Sequence, residues 1–198
     1  MKKRYIALAA AAALCLLSGC GRTEYYHGYL TGTSSMPAES GSGRPNYSIP
    51  LTTAPEIALT DALSSKQSEF IVQSGNFSWS YQKNDKLESI IACGTHPLDQ
   101  NQQKGNKLKI PEYQGTDAVF YVISWIVTPD KLTVREWDIS KLGDTEAAPD
   151  AENTYEDATM AELKPGKVYE LTAVWDEEKL DQNQFYGEAS YTLLTEQG

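Results

Sequence analysis

The chain has 198 residues, with 17 basic and 27 acidic side chains and a formal net charge of −10 at pH 7. Nucleic acids and anionic lipid headgroups bind basic protein surfaces. Because acidic residues outnumber basic ones in this chain, we expect no nucleic-acid partner. The length suffices for one domain and a segment outside it.

The first 20 residues have the pattern of an export signal. Three basic residues at positions 2–4 precede an apolar run over residues 5–17, and small residues then lead to Cys20. The run of about 13 apolar residues is shorter than the roughly 20 that a membrane-spanning helix needs. An ordinary cleaved signal peptide is the alternative, but it leaves Ser18-Gly19-Cys20 without a role.

The four residues Leu17-Ser18-Gly19-Cys20 resemble the lipobox of bacterial lipoproteins. This resemblance implies that residues 1–19 are a signal peptide and that Cys20 is acylated and becomes the first residue of the mature chain. We therefore expect a lipid-anchored protein on the extracytoplasmic face of the cell membrane, with membrane lipid as its partner at Cys20. Two or three acyl chains give the stable attachment that one chain does not.

Cysteine usage limits how the domain is stabilised. Cys15 leaves with the signal and Cys20 is expected to carry lipid, so Cys93 is the one thiol left in the mature chain. An intramolecular disulfide is then ruled out, although export would permit one. Because Cys93 follows the apolar residues 90–92, we expect its side chain to be buried.

Residues 20–65 are predicted to be the lipidated cysteine followed by a flexible linker. The segment is rich in Gly, Ser, Thr and Pro, most clearly over Thr31–Pro50. Coil statistics give about 45 such residues an end-to-end distance of roughly 35–40 Å. Within the segment, Ala54–Leu63 is compatible with a short helix or an added strand.

From residue 66 the sequence has the pattern of strands. Phe77, Trp79 and Tyr81 alternate with polar residues, which predicts a half-buried strand. Asn84-Asp85 then indicates a hairpin into a strand over Leu87–Cys93. Further strands are predicted over Lys107–Ile110, Val119–Val127, Leu132–Trp137, Ala158–Leu163, Lys167–Trp175 and Phe185–Leu194.

Two of the later segments are distinctive. Val119–Val127 is almost wholly apolar and β-branched, which predicts a central strand buried on both faces. Gly143–Asp157 is predicted to be an acidic loop. Eight or so short strands, with no long helix, predict an all-β fold over residues 66–198: an antiparallel two-sheet immunoglobulin-like sandwich. A closed barrel is the alternative.

The segment Leu163-Lys164-Pro165-Gly166-Lys167-Val168-Tyr169 resembles the tyrosine corner of fibronectin type III and related immunoglobulin-like domains. This resemblance implies that the Tyr169 hydroxyl bonds back to the backbone at the corner while its ring packs in the core. Leu163, Pro165, Gly166 and Tyr169 are therefore the candidate structural residues.

A wider resemblance rests on three segments, Trp79-Ser80-Tyr81, Ile91–Leu98 and Thr133–Trp137, followed by the Pro-Gly-Tyr strand. Their order is similar to a β-sandwich module of clostridial surface lipoproteins and of extracytoplasmic regions of β-lactam-sensing regulatory membrane peptidases. In that pattern the position of Glu136 is often Cys, a partner for the cysteine at position 93. The peptidase's metal-binding helix motif is absent, so the resemblance implies a module and a sensing context and not the peptidase activity.

Residues with catalytic or metal-binding chemistry are sparse. Cys93 and His96 fall close together, but a structural zinc site needs about four ligands and the chain has two histidines. The preferred interpretation is that Cys93 ends a strand and His96 lies in the turn after it. The alternative is that Cys93 is a thiol nucleophile and His96 its base. No cofactor is expected, except that calcium could bind carboxylates of the acidic loops Asp144–Asp157 and Asp176–Asp181.

These observations predict a non-catalytic, lipid-anchored binding or sensing module with a protein or glycan partner. A regulatory partner of a membrane sensor is an alternative of the same kind. A cell-wall-acting enzyme is the alternative of a different class, but phosphate-binding glycine loops, G-x-S-x-G elbows and S-x-x-K motifs are all missing from the sequence.

Overall fold

A computed structural model of the chain describes residues 51–65, 68–101, 106–156 and 159–198. The predicted signal peptide over residues 1–19, the predicted lipidation site Cys20 and the predicted linker up to residue 50 lie outside the described residues. None of the helices within the described ranges is long and apolar enough to cross a membrane.

Eleven strands make up most of the described chain. They are β1 (Ile57–Asp61), β2 (Glu69–Val72), β3 (Phe77–Lys83), β4 (Lys86–Ala92), β5 (Lys107–Ile110), β6 (Val119–Ser124), β7 (Lys131–Asp138), β8 (Ala151–Tyr155), β9 (Met160–Leu163), β10 (Lys167–Trp175) and β11 (Phe185–Gln197). Two 3₁₀ turns, Ile139–Lys141 and Glu177–Lys179, and one short helix, α1 (Leu180–Asn183), lie between strands.

The strands form two sheets that pack as a sandwich, which confirms the predicted fold class. The smaller sheet has the order β2-β1-β6-β9, and the larger has the order β4-β3-β11-β10-β7-β8. All these pairs are antiparallel, and β5 adds a short parallel pairing along the second half of β11.

The long strand β11 is the axis of the larger sheet. It pairs with β10 over eight residues on one side, and with β3 and then β5 on the other. Gly187 lies where β11 passes β3, and a Cβ atom there would overlap the carbonyl oxygen of Ser78. A glycine at this position therefore permits the close approach of the two backbones.

Aromatic side chains fill the space between the sheets. The rings of Trp79 and Trp175 meet edge to face with centroids 5.1 Å apart, and Phe185 stacks on Trp79 at 4.9 Å. All three are almost completely buried, and each such side chain contributes about 1.5–3 kcal/mol of hydrophobic free energy. The indole N–H of Trp79 donates to the carbonyl oxygen of Leu51 at 2.8 Å, so the start of the described chain is held against the core.

Residues 51–65 belong to the sandwich, which corrects the predicted boundary between linker and domain at residue 66. Within the range predicted as linker, β1 lies between β2 and β6, and Ile57 and Leu59 are fully buried. The buried Tyr191 hydroxyl also donates to the carbonyl oxygen of Pro55 at 2.8 Å. Of the two forms compatible with Ala54–Leu63, the strand is the one present.

The strand β6 is shorter and less buried than predicted. It ends at Ser124, and its residues alternate between buried and exposed positions. Phe120 is 51% exposed and Val122 is 37% exposed on the outer face of the smaller sheet. The prediction of a strand buried on both faces was wrong because, among the residues that the structure describes, one layer and not two packs against the smaller sheet.

The predicted acidic loop divides into two parts. Its second part contains β8, which pairs with β7 at the edge of the larger sheet. Its first part covers Trp137, whose indole N–H donates to the carbonyl oxygen of Ala147 at 3.0 Å. Trp137 packs there with Leu98, Val168 and Leu194 in a second, smaller core.

Candidate ligand-binding site

The side chain of Asp61 is a buried carboxylate beside a pocket. Asp61 ends β1 on the same face as Ile57 and Leu59 and is 9% exposed. One carboxylate oxygen accepts a hydrogen bond from the backbone N–H of Leu63 at 2.8 Å, and the other accepts one from the Tyr113 hydroxyl at 2.5 Å. None of the ion pairs among the described residues involves Asp61. Its charge is therefore compensated by neutral donors, and it retains acceptor capacity.

Three separate segments assemble this site. Tyr113 lies beyond Pro111, which ends β5, and a tight turn brings Tyr113 opposite Thr116. Tyr121 of β6 lies directly opposite Asp61 in the register of the smaller sheet. Because 52 residues separate Asp61 from Tyr113, the pairing depends on the closure of the sandwich.

Both phenols are held in their neutral form. The hydrogen bond to Asp61 raises the pKa of Tyr113 above its ordinary value. Burial, with a further contribution from the Asp61 charge, raises the pKa of Tyr121 to about 12. At neutral pH the site therefore presents a carboxylate acceptor and phenolic donors side by side.

A pocket of about 410 Å³ opens beside Asp61 between the β1–β2 hairpin and β5. This volume falls in the range of small-molecule sites. Its lining combines apolar and aromatic side chains with polar ones: Leu59, Asp61, Ser64, Ser68, Glu69, Phe70, Leu108, Lys109, Pro111, Tyr113 and Tyr121. A second pocket, of about 300 Å³, lies on the other side of the turn after β5 and shares Tyr113.

The corner residues also lie together, and Pro165 lines the second pocket with Tyr113. The fully buried Tyr169 accepts a hydrogen bond from the backbone N–H of Lys164 at 2.9 Å, five residues upstream. Its hydroxyl donates to a carboxylate oxygen of Glu136 at 3.1 Å. Leu163 is fully buried before the turn, and Gly166 has a φ of +72° within it. This is the backbone contact expected from the motif, and burial raises the pKa of Tyr169.

Cys93 and His96 occupy an exposed turn after β4, so the prediction that Cys93 is buried was wrong. Burial fails because β4 is an edge strand whose residues Ile90 and Ile91 are themselves exposed. The Nδ1 atom of His96 accepts a hydrogen bond from the backbone N–H of Leu98 at 3.2 Å. This contact holds the turn that places Leu98 in the second core.

Carboxylates of the first acidic loop contact protein groups. Asp150 pairs with Lys141 and accepts a hydrogen bond from the backbone N–H of Asp138, and Glu152 pairs with Arg135 at 2.7 Å. Asp157 lies outside the described residues. In the parts of the chain that the structure describes, no three His, Cys, Asp or Glu side chains converge as metal ligands.

Comparisons of the chain with family models, with curated proteins and with solved structures found no match. The Asp61 site was not predicted from the sequence, because β1 falls within the range predicted as linker. The available signal was the alternation of Ile57, Leu59 and Asp61 with Ala58 and Thr60, which is the period of a half-buried strand.

Proposed function

We propose that this protein is a lipid-anchored, extracytoplasmic binding module whose ligand occupies the pocket beside Asp61. The observation that carries the proposal is the buried Asp61 carboxylate, held by hydroxyl and backbone donors and not by a cation, at the wall of a 410 Å³ pocket. A carboxylate that is held by neutral donors and keeps acceptor capacity can accept further hydrogen bonds from a ligand in the pocket.

The pocket chemistry favours a hydroxyl-rich ligand with one apolar face, such as a short saccharide. Asp61 and the serine hydroxyls supply acceptors and donors, and Lys109 adds a charged donor at the rim. The side chains of Phe70 and Tyr113 supply aromatic surface for the apolar face. Polar groups fix such a ligand's orientation while the apolar surface contributes affinity.

Binding is favoured over acid–base hydrolysis by the placement of the carboxylates. A glycosidase mechanism needs two carboxyl groups facing one bond across a cleft. Glu69 pairs with Thr60 in the register of β1 and β2, so it belongs to the opposite sheet face from Asp61. The two acidic residues of this pocket therefore do not form a converging pair.

The pocket is tested by titrating the full-length protein in detergent with a panel of mono- and disaccharides, monitored by calorimetry. We expect Tyr113→Phe and Asp61→Asn each to weaken binding by about tenfold or more, because each removes a charge-assisted hydrogen bond. Tyr155→Phe is the matched control, since Tyr155 is an exposed tyrosine on β8. Absence of saccharide binding, or equal binding by all variants, would contradict the assignment of this pocket.

The anchor is tested by metabolic labelling of producing cells with an alkyne-bearing fatty acid. We expect label on the wild-type protein and on Cys93→Ser, and none on Cys20→Ser. The Cys93 variant controls for acylation of an exposed thiol. Label that persists after Cys20→Ser, or wild-type protein without label, would overturn the lipid anchor while leaving the pocket proposal intact.

A further inference from the structure

The edge strand β4 is apolar and exposed. Within the described residues it pairs with β3 alone, so its other edge faces outward. Leu87 is 50% exposed, Ile90 is 40% exposed and Ile91 is 72% exposed. An exposed apolar strand edge of this kind is a template for pairing with another strand.

The hairpin geometry determines which backbone groups point outward. Asn84 and Asp85 have φ values of +50° and +59°, as in a two-residue type I′ turn, so Lys83 and Lys86 form the hydrogen-bonded closing pair. Because hydrogen-bonded and non-hydrogen-bonded pairs alternate, the odd-numbered residues Leu87, Ser89 and Ile91 direct their N–H and C=O groups away from β3. Consistently, Gln82, opposite Leu87, donates its N–H to Gln184 on the far side of β3.

These outward groups are self-complementary. If two copies of β4 pair antiparallel with Ser89 opposite its symmetry mate, all seven residues overlap and Leu87 lies opposite Ile91. In this arrangement the outward N–H and C=O groups of both strands are satisfied, and the apolar pair is repeated on each side of the two-fold axis. No charged residue of β4 then lies opposite another, whereas moving the two-fold axis to residue 88 would place two Glu88 side chains directly opposite each other.

The other exposed edges of the same sheet lack this pattern. The strand β5 carries exposed Lys107 and Lys109, and lysine on an edge opposes pairing. The edge strand β8 has the sequence AENTY, and its Glu152 is paired with Arg135. The combination of apolar side chains and a symmetric register is therefore a property of β4.

We propose that two copies of this protein associate through β4 in an antiparallel, Ser89-centred pairing that joins their larger sheets into one. We assign a second copy as the partner because, in this register, the backbone hydrogen bonds of the two β4 strands are satisfied, their apolar side chains lie opposite each other and their charged side chains do not. The net negative charge of each chain opposes the association, so the association strengthens as salt screens the repulsion.

Cysteine cross-linking of the full chain in membranes of producing cells tests the register. Antiparallel hydrogen-bonded partners have Cα atoms about 5.5 Å apart, which a disulfide can bridge. In a Cys93→Ser background we expect Ser89→Cys to give disulfide-linked dimer on mild oxidation, at least about tenfold more than Thr154→Cys on the exposed edge β8. The Cys93→Ser variant without an added cysteine is the control for cross-linking through other thiols.

A second measurement does not depend on disulfide formation. We expect the wild-type protein in detergent to sediment as a dimer, and Leu87→Lys combined with Ile91→Lys to sediment as a folded monomer with an unchanged circular dichroism spectrum, because both side chains are largely exposed. Thr154→Lys on β8 is the matched control and stays dimeric. A monomeric wild type, or equal cross-linking at residues 89 and 154, would overturn the proposal, even if a different protein covers β4.

Discussion

The Tyr169–Glu136 and Tyr113–Asp61 hydrogen bonds join the same two chemical groups in different surroundings. Tyr169 is fully buried, accepts a backbone hydrogen bond and donates to Glu136, which also lies 3.4 Å from the ammonium group of Lys167. Tyr113 is half-buried, donates to Asp61 and lines two pockets. In the first pair, the buried hydroxyl has two protein partners, and Tyr169 and Glu136 together line a small pocket of about 120 Å³. In the second, the half-buried Tyr113 borders two larger pockets, of about 300 and 410 Å³.

Because the surroundings differ, loss of the same kind of hydrogen bond is expected to affect stability in one pair and binding in the other. A hydrogen bond of a fully buried hydroxyl contributes to stability, because its loss leaves a buried partner unpaired. A hydrogen bond at a pocket wall is replaceable by water or ligand, so its loss costs little stability and alters binding. We therefore expect substitutions at Tyr169 and Tyr113 to separate stability from recognition.

The largest expected effect is that of Tyr169→Phe. It removes the hydroxyl that accepts from Lys164 and donates to Glu136, and it leaves both groups without that partner. We expect a loss of about 1–3 kcal/mol in the free energy of unfolding, measured by urea denaturation at neutral pH. A denaturation curve unchanged by the substitution would show that the corner is not a stabilising contact.

A smaller effect is expected for Tyr113→Phe at the pocket. Water can reach the Asp61 carboxylate through the pocket and replace the lost donor, so we expect a smaller loss than for Tyr169→Phe in the same assay. A loss of unfolding free energy as large as that of Tyr169→Phe would mean that the Tyr113 hydroxyl is also a stabilising contact. It would then weaken the assignment of a ligand site.

The smallest difference is expected in the dependence of stability on alkaline pH. Burial raises the pKa of Tyr169 above the value of about 10 for an unfolded tyrosine, so the folded state holds its proton more tightly. This contribution is fully present below pH 10 and is lost as the pH rises from the unfolded pKa through the folded pKa. Between pH 9 and pH 11, the unfolding free energy should therefore fall less in Tyr169→Phe than in the wild type. Tyr113→Phe should change this slope less, because the Tyr113 side chain is half-exposed.

Elements with a strong local pattern were predictable from the sequence. The strand β10 matches the predicted range Lys167–Trp175, and β3 begins at Phe77 as the alternation indicates. In both, the side chains that face the core alternate with others, so periodicity alone identifies the strand.

Elements that depend on distant partners were not predictable in the same way. The strand β8 has a polar sequence and exists because β7 offers a register in which Arg135 meets Glu152. The Asp61 site joins β1 to a turn 52 residues away, so no local pattern contains it. Exposure of Phe120 and Val122 likewise depends on how many layers the fold has, which the apolar run itself does not reveal.

The position of β11 in the sequence has a consequence for folding. It is the last strand in chain order, yet β3, β5 and β10 each require it as a neighbour. A chain that emerges from a ribosome or a translocation channel with its N-terminus first cannot complete the larger sheet until the segment from Phe185 has emerged. Completion of the larger sheet is then a late step, and a nascent chain that pauses before β11 presents one unpaired edge of β3 and one of β10 to its surroundings.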